Sequence, residues 1–139
     1  MKILEKFTEN GVLDETASHV VSEFVRCAPW IKAALKHAGG THNLEDILNG
    51  ILHREYQFWP AVESVVITEL VIYPRKKVLN LFLAGGNYEE LRTMLPDLEA
   101  FGKLEGCSTV TLTGRKGWLR SFLPKEGYEG HWAVMTKEL

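Results

Sequence analysis

Residues 62–128 read VESVVITELVIYPRKKVLNLFLAGGNYEELRTMLPDLEAFGKLEGCSTVTLTGRKGWLRSFLPKEGY. The elements run in the order strand, tight turn, strand, Gly-Gly, helix, strand, helix. Residues 62–73 are dense in Val, Ile and Thr, the composition of a long strand. Pro74-Arg75-Lys76 supplies the turn. Residues 78–83 (VLNLFL) are apolar on both faces, as suits a strand buried in the middle of a sheet. Asn87 begins a helix, since Asn87 and Glu90 have the N-cap and N3 spacing of a capping-box variant. Tyr88, Leu91, Leu95, Leu98 and Phe101 form its buried stripe. Pro96 should kink or split it, and Gly106 closes it. Beyond lie a strand at 108–113, a short helix at 116–123 and a last strand at 131–136.

Toward the N-terminus, residues 56–59 are aromatic-rich and end at Pro60, which suits a short strand. Residues 14–27 carry a helical stripe of Val20, Val21, Phe24 and Val25. Pro29 ends that helix or restarts it, because proline suits a first helical position. Trp30, Ile31, Ala34, Leu35 and Ala38 continue at helical spacing until Gly39-Gly40 stops them. Asn43 can cap the next helix, with Asp46 three residues on. Leu44, Ile47, Leu48, Ile51 and Leu52 mark one of its faces.

A chain of 139 residues fits one domain, divided into a helical part at 1–43 and a sheet core at 44–139. Hydrophobic content of 45% and charged content of 24% are those of an ordinary globular chain. A net charge of -2 argues against a general nucleic-acid binder. Cys27 and Cys107 are far apart and form no CxxC, which points to free thiols in a reducing compartment. No apolar run approaches a membrane span, and residues 1–7 are too short and too charged for a signal peptide. The expected location is the cytoplasm, or a particle assembled there. The five histidines show no metal spacing, and neither Ser108 nor Ser121 lies in a G-x-S-x-G elbow. Trp30, Trp59, Trp118 and Trp132 read as core or interface anchors.

Helices first, then a strand meander, then strand–helix–strand–helix–strand: from about residue 44 this order resembles the GNAT (GCN5-related N-acetyltransferase) superfamily. The segments LEGCSTVTLTGRKGWLRSFLPKEGY (104–128) and WAVMTKEL (132–139) look like its fifth strand, fourth helix, Gly-aromatic pair (Gly127-Tyr128) and final strands. The chain also resembles the short, divergent GNAT-like proteins of tailed phages and prophages, an internal virion protein group among them. The resemblance implies an α+β fold. Its sheet would be GNAT-like, mixed and mostly antiparallel, with five to seven strands and helices on both faces.

Active members of that family follow the fourth strand with Q/R-x-x-G-x-G/A, whose backbone amides hold the CoA pyrophosphate with the next helix N-terminus. Glycine lets the backbone approach the phosphates, and the helix end supplies unpaired N–H groups. The corresponding segment here is Leu83-Ala84-Gly85-Gly86-Asn87-Tyr88-Glu89-Glu90, with its glycines early and the pattern absent. Glu89 and Glu90 suit the helix dipole but compete with a pyrophosphate for it, at about 1 kcal/mol each near a surface. A Glu90 side chain folded back on the cap would also occupy amides the ligand requires. The family's N-x-x-A-x-x-L-Y-x-x-x-G-F pattern, aligned on Gly127-Tyr128, places Leu123 at the tyrosine. Leucine cannot protonate a leaving thiolate.

Glu69 is a carboxylate inside the apolar run VVITELVIY. A two-residue hairpin at Pro74-Arg75 would pair Tyr73 with Lys76 and put Glu69 opposite Asn80. Glu69 is then either a general base acting through water or an outward glutamate on a half-exposed strand. Arg115, Lys116 and Arg120 form a basic cluster that is either a phosphate contact or a solvated edge. Arg75, Lys76 and Lys77 are read as a charged hairpin tip.

Two functions compete. One is a catalytically degenerate phage or prophage GNAT-like protein with a structural or binding role in or on a virion. Its partners would be other phage structural proteins or further copies of the same chain. The other is an acyl-CoA-dependent N-acyltransferase using acetyl-CoA. There Glu69 would be the base with Asn80 as its partner, and Leu83, Gly85, Gly86, Asn87, Arg115 and Lys116 would hold the cofactor. No metal is expected in either.

Overall fold

The two apolar runs pair as the centre of a four-stranded sheet in the computed structural model, which describes residues 15–139 and side chains from Ala17 onward. The signal-peptide reading of residues 1–7 and the helix start at Asp14 lie outside the described residues. Strands β1 (Gln57–Pro60), β2 (Ser64–Ile72) and β3 (Lys77–Gly86) form an antiparallel meander. Helix α3 (Tyr88–Leu104) then crosses over, and β4 (Thr109–Leu112) pairs parallel to β3. Helices α1 (Glu15–Leu35) and α2 (Leu44–Leu52) precede the sheet.

The hairpin closes as its turn residues dictate. The Tyr73 amide donates to the Lys76 carbonyl (2.8 Å), so Glu69 lies opposite Asn80. The register then slips by one residue. Thr68 faces Leu81 but Ile67 faces Leu83, leaving Phe82 as an extra residue on β3. Alternation resumes beyond this bulge with Leu83 packed beside Val65 and Ile67, under α1 and α2. Val66, Leu79 and Leu81 face the other way, against Leu91, Leu95 and Leu98 of α3. Helices therefore cover both faces, and the fold is the expected α+β class.

Two prolines do less than the sequence suggests. α1 is continuous through Pro29 and α3 through Pro96. An interior proline costs about 3 kcal/mol. Phe24, Cys27 and Ile31 around Pro29, and Leu95 and Leu98 around Pro96, are all at least 96% buried. At about 1.5–3 kcal/mol for each such side chain, packing outweighs the lost hydrogen bond.

The C-terminal part departs from expectation. The helix at 116–123 is instead two 3-10 segments, Lys116–Arg120 and Leu123–Glu126. Between them the Ser121 hydroxyl accepts from the Leu123 amide (3.2 Å), and Pro124 has no amide to continue a helix. The strand expected at 131–136 is not formed, so four strands are present among the described residues rather than five to seven. Its β-prone residues have nothing to cover: Trp132 is 82% exposed and Met135 95%, so Trp132 anchors no core. Among the described residues, no helix is long and apolar enough to cross a membrane.

Candidate functional site

The start of α3 is where a phosphate-bearing ligand would meet backbone amides, and the chain fills much of it from within. Asn87 caps the helix, its Oδ1 accepting from the Glu90 amide (3.0 Å). Glu90 does not fold back to complete a capping box. Its Oε1 instead accepts from the Glu63 amide in the β1–β2 loop (2.8 Å). The Asn87 amide is shared between the Glu63 carbonyl and Ser64 Oγ, both at 3.1 Å. Of the four N–H groups that a helix start leaves over, only those of Tyr88 and Glu89 lack a hydrogen-bond partner among the described residues.

The two glycines belong to the same closure. Gly86 has φ +113°, and a Cβ there would lie 2.2 Å from the Glu63 carbonyl oxygen. A Cβ on Gly85 would lie 2.7 Å from the Trp30 carbonyl oxygen of α1. Each glycine is thus required by protein backbone passing close by. Arg26 of α1 holds the loop from its other side, donating to the carbonyls of Ala61 (2.8 Å) and Val62 (3.1 Å). Glu23 steadies that guanidinium at 2.7 Å. Glu63, Glu89 and Glu90 all belong to this helix end, where Arg92 pairs with Glu89 at 3.0 Å.

Arg115 reaches the same place from beyond β4. Its guanidinium donates to Tyr88 Oη and to His37 Nε2, both at 3.0 Å, and lies 5.9 Å from the Trp118 ring. Tyr88, expected in the buried stripe, is half exposed and packs edge-on against Trp118. Lys116 is exposed and has no partner among the described residues, so the structure brings Arg115 to the side chain of Tyr88, the first residue of α3, and leaves Lys116 out.

β3 and β4 pair only from Val78–Thr109 to Leu81–Leu112, and β3 continues to Gly86 paired with β2 but not with β4. Trp118, Phe122 and Leu123 fill the space on the α3 side of this divergence. They leave an apolar cavity of about 20 Å³, lined also by Leu81, Ala84 and Leu91. That is room for about one water molecule. Leu123, which the sequence resemblance set against the family's tyrosine, is buried in this core.

The opposite sheet face carries a polar row. Asn80 Nδ2 donates to Glu69 Oε1 (2.9 Å), and Asn80 Oδ1 accepts from Thr111 (2.9 Å) and Thr113 (3.4 Å). The hydroxyl of Tyr56 lies 3.2 Å from His42 Nε2. Burial first, then the Glu69 charge, pushes the Tyr56 phenol above its ordinary value. Leu83 is buried beneath α1 and α2 among Val65 and Ile67. The contacts of Glu63, Ser64, His37 and Tyr88 are absent from the sequence reading. Thr111 and Thr113 join the row through the period-2 alternation of 109–113, which the sequence reading did not use. Among the described residues no group of three His, Cys, Asp or Glu is placed to hold a metal ion.

No family model matches the sequence, and no curated protein matches it. Solved structures do resemble it. A GNAT-family acetyltransferase of Staphylococcus aureus aligns over 91% of this chain and 95% of its own, at 14% identity and TM-score 0.54. A Trypanosoma brucei acetyltransferase aligns over 69% and 78%, at 16% identity and TM-score 0.52. A tetramutant of the Bacillus halodurans protein BH1408 aligns over 71% and 76%, at 12% identity and TM-score 0.56. At these identities the likeness is one of fold, and the fold of this chain is GNAT-like.

Proposed function

We propose that this chain uses a GNAT-like fold for binding rather than for acyl transfer. In this reading it is a catalytically degenerate member of the phage or prophage type, with a structural role in or on a virion. The observation that supports it is the closure of the α3 start, where Glu63, Ser64 and Asn87 take amides that a pyrophosphate would need. The Glu90 carboxylate, held at the Glu63 amide, opposes an anionic ligand by about 1 kcal/mol in solvent, while Glu89 is paired with Arg92 at 3.0 Å. The filled strand divergence adds to this: in the GNAT family the CoA pantetheine runs between these two splayed strands, and here it would first have to displace Trp118 or Phe122.

One observation favours the other reading, an N-acyltransferase with non-standard cofactor contacts. Arg115 stands at the helix start, where it could meet a phosphate. Glu69 would then be the base, steadied by Asn80, with Leu83, Gly85, Gly86, Asn87 and Lys116 as further contacts. Titration calorimetry of the full chain with acetyl-CoA separates the two. The expected result is no binding at millimolar ligand by a well-folded protein. Micromolar binding that Arg115→Ala abolishes would overturn the proposal. The virion role has its own test in the genes alongside: portal or tail genes support it, and a metabolic operon contradicts it.

A further inference from the structure

We infer that the free edge of β4 binds residues 131–136 of a second copy of this chain, in a reciprocal strand exchange. β4 ends the sheet, and no backbone hydrogen bond satisfies its outer side among the described residues. Edge strands are usually guarded by proline, charge or a cover. β1, at the other edge, ends in Pro60, whereas β4 is Thr-Val-Thr-Leu, all strand formers without a guard.

The same chain carries a strand without a sheet. Residues 131–136 read HWAVMT, and Trp132, Val134 and Met135 are 82%, 76% and 95% exposed. Trp132 and Val134 are two residues apart and so share one face of an extended segment. Val110 and Leu112 have the same spacing and are only half buried on the α3 side of β4. Adding the segment would cover both pairs and satisfy the outer backbone groups.

Charge fits as well. Glu129 and Glu138 flank the segment, and basic residues flank the edge: Lys76 and Lys77 at one end, Arg115 and Lys116 at the other. Residues 131–136 contain no lysine or arginine, and Lys137 stands between the segment and Glu138, so the acidic flank is clearest at Glu129. The occupant is a second copy because no described residue of the segment's own chain pairs with it, and a two-fold axis lets each copy satisfy the other. The inference stands whether or not acyl-CoA binds.

Light scattering on the full chain at about 100 µM tests it. The expected mass is twice that of one chain. Truncation after Gly130 is expected to halve that mass while leaving the far-UV circular dichroism of the core in place. Should the shortened chain fail to fold, the double variant Trp132→Asp, Val134→Asp carries the test, since both side chains are exposed in the single chain. Hydrogen exchange supplies the second readout, with slow exchange in Thr109–Leu112 of the full chain and faster exchange in either variant. A monomeric full chain overturns the inference, even if β4 is protected, because pairing would then be within one chain. A dimer that survives both variants overturns it too.

Discussion

Gly86 shows at the smallest scale how the α3 start is closed. Its positive φ, and the 2.2 Å that would separate a Cβ from the Glu63 carbonyl oxygen, exclude any side chain. Gly86→Ala should therefore destabilise the protein by about 2–4 kcal/mol, read as a lower urea midpoint with little change in slope. The Glu69–Asn80 contact was legible beforehand because hairpin register is arithmetic once the turn is known. The Glu63–Glu90 contact was not, since its partners are 27 residues apart and one lies in a loop without periodicity. Tyr128 gives a prediction on pH. Burial first, then the Glu99 charge and hydrogen bond, push its phenol far above the ordinary 10.0. The unfolded chain releases that proton near pH 10.0 while the folded one keeps it, so the stabilisation is complete below that pH and declines above it. Denaturation above pH 10.0 should show stability falling by up to about 1.4 kcal/mol per pH unit for this group. Tyr128→Phe should flatten that fall, leaving the contributions of Tyr56 and of Cys27, whose thiol is also pushed up by burial.

At the scale of elements, local signals worked where a cap or a turn decides the outcome. Asn43 and Asp46 form the full capping box of α2, each side chain accepting from the other's amide at 2.9 Å. Asn43→Ala should lower stability by about 1 kcal/mol in thermal denaturation, since it leaves the Asp46 amide unpaired. Local signals failed where tertiary packing decides. Pro29 and Pro96 read as breaks, but buried neighbours on both sides of each hold the helix together. The strand at 131–136 failed for the converse reason, a pattern with strand propensity and no sheet beside it in its own chain. Buried polar atoms in the strands set another limit. Trp59 Nε1 donates to Thr68 Oγ1 (3.0 Å), which in turn donates to Gln57 (2.8 Å). Thr68→Val should cost about 1–3 kcal/mol by stranding the indole N–H and the Gln57 carbonyl, visible in equilibrium unfolding.

For the whole molecule, the order of elements was enough to expect a GNAT-like layering, because a meander followed by a crossover helix admits few arrangements. The same order says nothing of what the fold does. That depends on whether the α3 start is open, which long-range contacts of Arg26, Glu63, Ser64 and Arg115 decide. These residues belong to different elements and share no motif, so no spacing in the chain announces them. The most direct measurement follows the backbone amides of Gly86, Tyr88 and Glu89 by 15N–1H NMR while acetyl-CoA is added to the full chain. Peaks that stay in place up to millimolar ligand are the result expected of a helix start already filled by its own protein. Saturable shifts of those peaks at micromolar ligand would contradict it.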